Sequence, residues 1–236
     1  LDVGGGHQIH VEECGAPHGI PIIFLHGGPG AGCKADHRQY FDPALYRIIL
    51  FDQRGCGRSL PVGRVEHNTT QLLIDDMEVV RQHFAVAAWV LFGGSWGASL
   101  ALSYAQRWPA RVRGMILRGS FLARRDDVAW FFGQGANRLL PQQWQQFLEQ
   151  SGLGSASDAV AYLHGEIFSN DPARVARVAR AWEVWSGAVV MFSFDHFSAS
   201  AGAGGASDVA IAKARLEMHY AHNRYFLAED ELLLNA

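Results

Sequence analysis

The sequence has few cysteines, no long apolar run and almost no net charge, and each shortage excludes a class of protein. Its three cysteines, Cys14, Cys33 and Cys56, are odd in number and lack CxxC spacing, so they predict free thiols in a reducing cytoplasm and no disulfide framework. The apolar stretch at 85–92 is far shorter than the about 20 residues of a membrane-spanning helix. The 20 basic and 23 acidic residues give a formal net charge of −3, which predicts neither a nucleic-acid partner nor a membrane partner.

Alternating strands and helices are the main pattern of the first half of the chain. Short runs rich in β-branched and aromatic residues predict buried strands at Ile20–Leu25, Tyr46–Phe51, Trp89–Phe92 and Val112–Leu117. Helices are predicted between them at Thr69–Phe84 and Trp96–Trp108. The order strand–helix–strand–helix–strand predicts an α/β fold whose mostly parallel sheet is covered on both faces.

The helix predicted at Thr69–Phe84 is amphipathic. Its apolar residues recur at helical spacing, and they are Leu72, Leu73, Met77, Val80 and Phe84. Its charged residues are predicted on the opposite face, and they are Asp75, Asp76, Glu78 and Arg81. Thr69 or Thr70 is the predicted N-cap, because a threonine hydroxyl can accept a hydrogen bond from the first turn.

The chain from residue 121 to 222 has mostly helical patterns. Its tryptophans at positions 130, 144, 182 and 185 are predicted to lie in a hydrophobic core, and a place in the wall of a pocket is the second interpretation. An all-helical block beside an α/β core predicts a cap, with the core at 1–120, the cap at 121–222 and a return to the core at 223–236. A glycine-rich tract at 201–207 is predicted to form a loop inside the cap.

A G-x-S-x-G motif, Gly93-Gly94-Ser95-Trp96-Gly97, lies between the third predicted strand and the helix that follows it. The bare motif is weak evidence, because the chain contains 26 glycines. A strand before it and a helix after it are typical of a nucleophile elbow, a strained turn that exposes a serine hydroxyl. Ser95 is therefore the predicted catalytic nucleophile, and a glycine-rich turn with an unused serine is the alternative.

The segment His26-Gly27-Gly28-Pro29-Gly30 follows the first predicted strand and has more glycines than a tight turn needs. A serine that forms an acyl-enzyme needs two N–H donors for the developing oxyanion, one after the nucleophile and one in a loop after an earlier strand. Trp96 is the first predicted donor, and Gly27 and Gly28 supply the second. Dinucleotide binding is rejected, because a third glycine is missing from the G-x-G-x-x-G pattern at Cys33.

Three motifs in order resemble those of the proline iminopeptidases (prolyl aminopeptidases) of the α/β-hydrolase superfamily. They are the two glycine motifs above and Asp52-Gln53-Arg54-Gly55-Cys56-Gly57-Arg58-Ser59. The similarity continues through segments at 117–119, 130–132 and 214–220, so it covers nearly the whole chain. The resemblance implies a mostly parallel sheet with an inserted helical cap, a Ser-His-Asp mechanism without metal or cofactor, and peptide substrates with an N-terminal proline.

The resemblance also implies which residues bind the substrate. The family uses two glutamates for the substrate's α-ammonium group, of which one matches Glu217 and the other follows the second tryptophan of a W-x-x-W-E segment. This chain has Ser186 at that position, and Glu183 lies one helical turn earlier, which leaves strict proline specificity open. The candidates for the wall of the proline pocket, or for plain packing, are Phe121, Phe131 and Phe132.

No segment of the chain matches the family's catalytic acid or histidine. The family's G-R-x-D and G-H-S segments have no counterpart, and there is no initial Met. The simplest interpretation is a fragment that lacks its first strands and its final lobe, with the acid and the histidine expected beyond residue 236. Two other hypotheses stay open, which are a related esterase or amidase and a catalytically inactive, truncated hydrolase scaffold.

Other candidate sites are weaker. His219 and His222 could share a helix face and bind a metal ion, but no third ligand accompanies them, so no metal is predicted. A helical stripe of arginines is predicted to be a solvated face, and it consists of Arg174, Arg177 and Arg180. Haloalkane dehalogenases and epoxide hydrolases have a similar fold but place aspartate where Ser95 stands. The oligomeric state is not predicted.

Overall fold

The computed structural model describes residues 1–154, 158–191 and 206–235. Contacts divide the chain into two compact units, which are Leu1–Ala123 with the segment from Tyr225 onward, and Arg124–Arg224. The sequence predicts boundaries at 120/121 and 222/223, and the role of the second unit as a cap stays a prediction. Most of the predicted loop at 201–207 lies outside the described residues.

A mostly parallel five-stranded sheet forms the centre of the first unit. Its strands are β1 Val11–Gly15, β2 Ile20–Leu25, β3 Tyr46–Phe51, β4 Trp89–Gly94 and β5 Val112–Arg118. They lie in the order β1-β3-β2-β4-β5. The pairs β3·β2, β2·β4 and β4·β5 are parallel, whereas β1 pairs with β3 in antiparallel orientation. This sheet confirms the predicted α/β fold class, and β1 is a strand that the sequence patterns did not reveal.

The helices follow the predicted order. They are α1 Thr70–His83, α2 Trp96–Arg107, α3 Arg125–Ala129, α4 Ala136–Leu139, α5 Pro141–Ser151, α6 Ala159–Ile167, α7 Pro172–Met191, α8 Asp208–His222 and α9 Glu231–Leu234. Thr69 is the N-cap of α1, because its hydroxyl accepts the N–H of Leu72 at 3.3 Å. The helix α2 is the crossover between the paired parallel strands β4 and β5, whereas α1 joins β3 to β4, which lie on either side of β2.

Both faces of the sheet are buried at its centre. One face carries a cluster that consists of Ile22, Phe24, Phe41, Ile48, Leu50 and Phe92. The alternate residues of β2 and β3 are equally buried, and they are Ile23, Leu25, Ile49 and Phe51. Strands that bury apolar residues on both faces lie between two layers, so the centre of the sheet is a rigid platform from whose carboxyl ends the loops emerge.

Two of the charged residues that the pattern places opposite the apolar face of α1 are buried, and they are Asp76 and Arg81. Only 1% of Asp76 and 8% of Arg81 are exposed. Asp76 accepts two hydrogen bonds from the guanidinium of Arg54, both at 2.7 Å. Arg81 donates to the carbonyl of Val86 at 2.6 Å. A helical pattern cannot reveal this burial, because Arg54 reaches α1 from the loop that follows β3.

The second unit is helical in its described residues, with a π-helical turn at Trp130–Gln134. Aromatic rings fill its interior. The ring centroids of Trp144 and Trp185 lie 4.9 Å apart, and those of Phe132 and Trp182 lie 4.8 Å apart in a stacked arrangement. Trp182 and Trp185 are buried, so these aromatics form a hydrophobic core. Over the described ranges, no helix has the length and apolar character to cross a membrane.

Candidate active site

Three neighbouring parallel strands, β3, β2 and β4, end at the same edge of the sheet. Each strand runs directly into one of the sequence motifs. The segment Asp52-Gln53 follows β3, the loop at 26–30 follows β2, and the elbow at 93–97 includes the end of β4. Ligands of open α/β sheets bind at the carboxyl ends of the strands, so this edge is the candidate active site.

Ser95 is in the strained conformation that a nucleophile elbow requires. Its φ is +54° and its ψ is −124°, a region that residues with a side chain rarely adopt. Ser95 is exposed, although its neighbours from 91 to 100 are all buried. A Cβ at Gly93 would lie 2.2 Å from the carbonyl oxygen of Gly97, and one at Gly97 would lie 2.1 Å from that of Leu25. The two glycines therefore permit the close backbone approach that presents the serine.

The glycine loop passes beside this serine. A Cβ on Gly27 would lie 3.4 Å from the Cβ of Ser95 and 3.8 Å from its Oγ. Gly28 has a φ of +114°, and a Cβ there would lie 2.6 Å from the backbone nitrogen of Gly30. Among the described residues, no acceptor takes the N–H of Gly27 or Gly28. Trp96 is the first residue of α2, a helix end where negative charge is stabilised.

His26 holds the glycine loop and is unsuited to act as the catalytic base. Its Nε2 accepts the backbone N–H of Gln53 at 3.1 Å, so its proton lies on Nδ1, which donates to the carbonyl of Gly27 at 2.9 Å. Burial lowers the pKa of His26, so the imidazole is neutral. Both ring nitrogens are engaged inside the protein, and neither can take a proton from a substrate.

Asp52 fixes the far end of the same loop. Its Oδ1 accepts the N–H of Cys33 at 2.6 Å, and its Oδ2 accepts the N–H of Arg58 at 2.9 Å. Gly57, with a φ of +58°, leaves room for this carboxylate, because a Cβ there would lie 2.4 Å from Oδ2. The consecutive residues Asp52 and Gln53 therefore hold both ends of the loop between His26 and Cys33.

Asp52 and Gln53 belong to the motif at 52–59, but the motif alone predicts no role for either residue. The signal that could have found them is strand adjacency. In a doubly wound parallel sheet, the residues that follow one strand lie beside the loop of its neighbour, and β3 is the neighbour of β2. Their function in the site was therefore accessible only once the strand order was known.

The described residues place no histidine in hydrogen-bond contact with Ser95 Oγ. The backbone N–H of Ser95 donates to the carbonyl of Arg118 at 3.0 Å, which connects the elbow to β5. The geometry thus assembles a serine and N–H donors, and the assignment of Ser95, Gly27, Gly28 and Trp96 to catalytic roles stays a prediction.

Glu217 lies in the second unit, and its side chain is mostly buried, with 12% of it exposed. The indole Nε1 of Trp182 donates to its Oε2 at 2.7 Å, and Nζ of Lys213 lies 3.6 Å from its Oε1. Burial raises the pKa of Glu217, and the nearby Lys213 and the Trp182 hydrogen bond oppose this rise. Such a carboxylate is costly to bury unless it is paired, and it is a strong site for an ammonium group.

The other predicted substrate residues have different surroundings. Glu183 forms an ion pair with Arg180 at 2.8 Å and is 43% exposed, so it is a weaker anchor than Glu217. Ser186 is buried, and its hydroxyl donates to the carbonyl of Glu183 at 3.3 Å. Phe131 and Phe132 both contact the ring of Trp182, with centroids 5.7 and 4.8 Å away. Phe121 belongs to the first unit, where its ring centroid lies 5.0 Å from that of Tyr225.

The weaker candidates are explained by packing and ion pairs. The ring of His222 stacks on His164 with centroids 4.0 Å apart. Arg174 and Arg177 lie 3.4 and 3.7 Å from Glu166 of α6. Within the described ranges, no group of three or more His, Cys, Asp or Glu side chains could hold a metal ion. The three cysteines are free, and burial raises the pKa of each thiol, most strongly at positions 33 and 56.

The strand order, the strained serine and the glycine loop define an α/β hydrolase, and a model of the α/β hydrolase fold family matches residues 20–178. A proline iminopeptidase of Xanthomonas citri is 43% identical over 239 residues, which cover 100% of this chain and 75% of that protein. A probable proline iminopeptidase of Leptolyngbya boryana is 42% identical over 236 residues, which cover 100% and 73%. The chain belongs to the proline iminopeptidase family of the α/β hydrolases.

A solved structure supports the same fold. The proline iminopeptidase of Mycobacterium smegmatis matches with a TM-score of 0.52 and 24% identity, and the match covers 78% of this chain and 67% of that one. At this identity the likeness concerns the fold alone. The predicted family is therefore confirmed by the sequence relatives, and the predicted fold by both comparisons.

Proposed function

We propose that the protein is a serine aminopeptidase that releases N-terminal proline from peptides through an acyl-enzyme. The observation that carries the proposal is the exposed, strained Ser95 beside the uncommitted N–H groups of Gly27 and Gly28, in a chain whose relatives are named proline iminopeptidases. The reaction needs neither a metal nor a cofactor. Three free cysteines are consistent with a cytoplasmic location.

In the proposed mechanism, Ser95 Oγ attacks the carbonyl carbon of the substrate's N-terminal proline. The serine proton passes to a histidine base that the described residues do not supply, and the carbonyl oxygen becomes an oxyanion. The N–H groups of Trp96 and of Gly27 or Gly28 then donate to this oxygen, and each such donor is worth roughly 3 kcal/mol of the barrier. Collapse expels the peptide amine, and water releases proline from Ser95.

Selection of a free N-terminus is assigned to the second unit. Glu217 is mostly buried and accepts a hydrogen bond from Trp182, so its charge is only partly screened by water. A substrate ammonium group would compete with Lys213 for this carboxylate. The rings of Phe131 and Phe132 pack against Trp182, which donates to Glu217, and we assign to these three rings the apolar contact for a pyrrolidine ring.

Covalent labelling tests the nucleophile. In the active enzyme, a fluorophosphonate probe should modify the peptide that contains Ser95, and the Ser95→Ala variant should remain unlabelled. Ser103→Ala is the matched control, because Ser103 lies in α2 and its buried hydroxyl has no hydrogen-bond partner among the described residues. This control should label like the wild type. Modification of a different serine would overturn the assignment.

Kinetics of a glycine variant test the oxyanion loop. Gly28→Val should lower kcat far more than it raises KM, because the N–H donor acts mainly in the transition state. Gly4→Val is the control for strain, since Gly4 also has a positive φ (+75°) and has no atom within 4 Å of an added Cβ. A large rise in KM with unchanged kcat at Gly28 would contradict the role.

A further inference from the structure

We propose that Gln53 is a positioning residue that aligns the two halves of the oxyanion hole with each other. The inference rests on the function proposed above and extends it to a side chain that does not touch the substrate. Gln53 follows β3 and is 2% exposed. It lies between the glycine loop and the start of α2, the two places from which the N–H donors come.

The contacts of Gln53 join these two elements. Its side-chain Nε2 donates to the carbonyl oxygen of His26 at 2.9 Å. Its Oε1 accepts the indole Nε1–H of Trp96 at 2.9 Å. Its backbone N–H donates to Nε2 of His26 at 3.1 Å. One residue therefore binds the first residue of the glycine loop and the residue that follows the nucleophile.

The chemistry of the partners fixes the orientation of the amide. An indole N–H can only donate and a backbone carbonyl can only accept, so Oε1 must face Trp96 and Nε2 must face His26. A carboxylate at this position would still accept from Trp96 but would face the His26 carbonyl without a proton. A thioether would supply neither bond. The position therefore requires glutamine among side chains of this length.

The contact with His26 also sets the direction of a catalytic N–H. The carbonyl of His26 and the N–H of Gly27 belong to the same peptide unit, which is planar and trans. In such a unit the C=O and N–H bonds point in opposite directions, so a fixed carbonyl fixes the N–H. Gly27 lies beside Ser95, and Gln53 therefore determines where the Gly27 N–H points relative to the serine.

The test compares Gln53→Glu and Gln53→Met with the wild-type active enzyme on a prolyl anilide. Because the Gly27 N–H would be displaced in both variants, kcat should fall by about 10- to 100-fold, and KM should stay within about 3-fold of the wild-type value. The affinity for a prolyl boronate, which forms a tetrahedral adduct with the serine, should fall by the same factor as kcat/KM. The affinity for free proline should be unchanged. Gln143→Met is the matched control, because Gln143 is also a buried glutamine and lies in α5.

Trp96→Phe removes the hydrogen bond between the Trp96 indole and Gln53 by deleting the donor. This variant tests the inference if Gln53→Met fails to fold. It should also lower kcat at constant KM, and its combination with Gln53→Glu should cost less than the product of the two single effects. Equal losses of boronate and proline affinity, or an unchanged kcat in all Gln53 variants, would overturn the inference. If the wild-type enzyme itself failed to cleave the anilide, the proposed function and not the role of Gln53 would be wrong.

Discussion

At the scale of single residues, Glu217 gives the sharpest test of specificity. Its carboxylate is 12% exposed and is held by Trp182 and Lys213. Glu217→Gln in the active enzyme should lower kcat/KM for a free-amine prolyl substrate by roughly 10²–10³-fold, because the bound ammonium group of the substrate would lose its carboxylate partner. An N-blocked proline ester should hardly be affected. Equal losses on both substrates would show that Glu217 only supports its own unit.

The same carboxylate predicts a pH dependence. Burial raises the pKa of Glu217 above its ordinary value of 4.5, so protonation begins at a higher pH than in an exposed glutamate. A protonated Glu217 no longer attracts an ammonium group. The ratio of kcat/KM for the free-amine substrate to that for the blocked ester should therefore fall as the pH is lowered, and Glu217→Gln should abolish this dependence. Efficient hydrolysis of blocked esters by the wild type would favour the esterase alternative, to which Ser186 also points.

At the scale of elements, the buried pair of Arg54 and Asp76 connects α1 to the loop after β3. Asp76→Ala should destabilise the protein by roughly 3–5 kcal/mol, because the guanidinium would stay buried without its partner. Asp75→Ala is the matched control, since Asp75 is 48% exposed and should change stability by about 0.5 kcal/mol or less. Urea unfolding followed by circular dichroism measures both. Similar midpoints for the two variants would contradict the importance of this pair.

The elements that the sequence predicted well are those with a local signal. The four parallel strands are short runs rich in apolar residues, and their predicted bounds differ from the observed ones by at most two residues. The predicted burial of Val112–Leu117 is wrong, because most of β5 is exposed. Strand β1 has no such run, because it contains Glu12 and Glu13 and is defined by its antiparallel pairing with β3. Pairing between distant segments leaves no periodic trace in an edge strand.

The residues of the candidate site also fall into those with a local sequence signal and those without one. Ser95 and the glycine loop were predictable, because each motif carries its own backbone requirement in its glycines. The hydrogen bonds of Gln53 were not, because they depend on the spatial order β3-β2-β4 and not on the order along the chain. Tertiary contacts of this kind become visible only when the sheet is assembled.

At the scale of the whole molecule, the described residues provide a nucleophile without a base. Loss of the histidine in a serine hydrolase costs about 10⁶ in kcat, so hydrolysis of a prolyl anilide by the 236-residue chain requires a base outside the described ranges. A sensitive fluorogenic assay of the purified chain, with Ser95→Ala as the blank, measures this. Turnover that disappears in Ser95→Ala would show that Ser95 works with a base from outside those ranges.

The neutral, doubly hydrogen-bonded ring of His26 has a consequence for spectroscopy. A proton on Nδ1 that is buried and donated to the Gly27 carbonyl exchanges slowly with solvent, so it should give its own resolved signal in a proton NMR spectrum. Its chemical shift should stay constant across the range in which exposed histidines titrate, because burial lowers the pKa of this ring. Among the 11 histidines of the chain, exchange of this Nδ1 proton with solvent would report local opening around His26. Loss of its signal on warming, before the amide signals of β2 disappear, would time the loosening of the glycine loop separately from unfolding of the sheet.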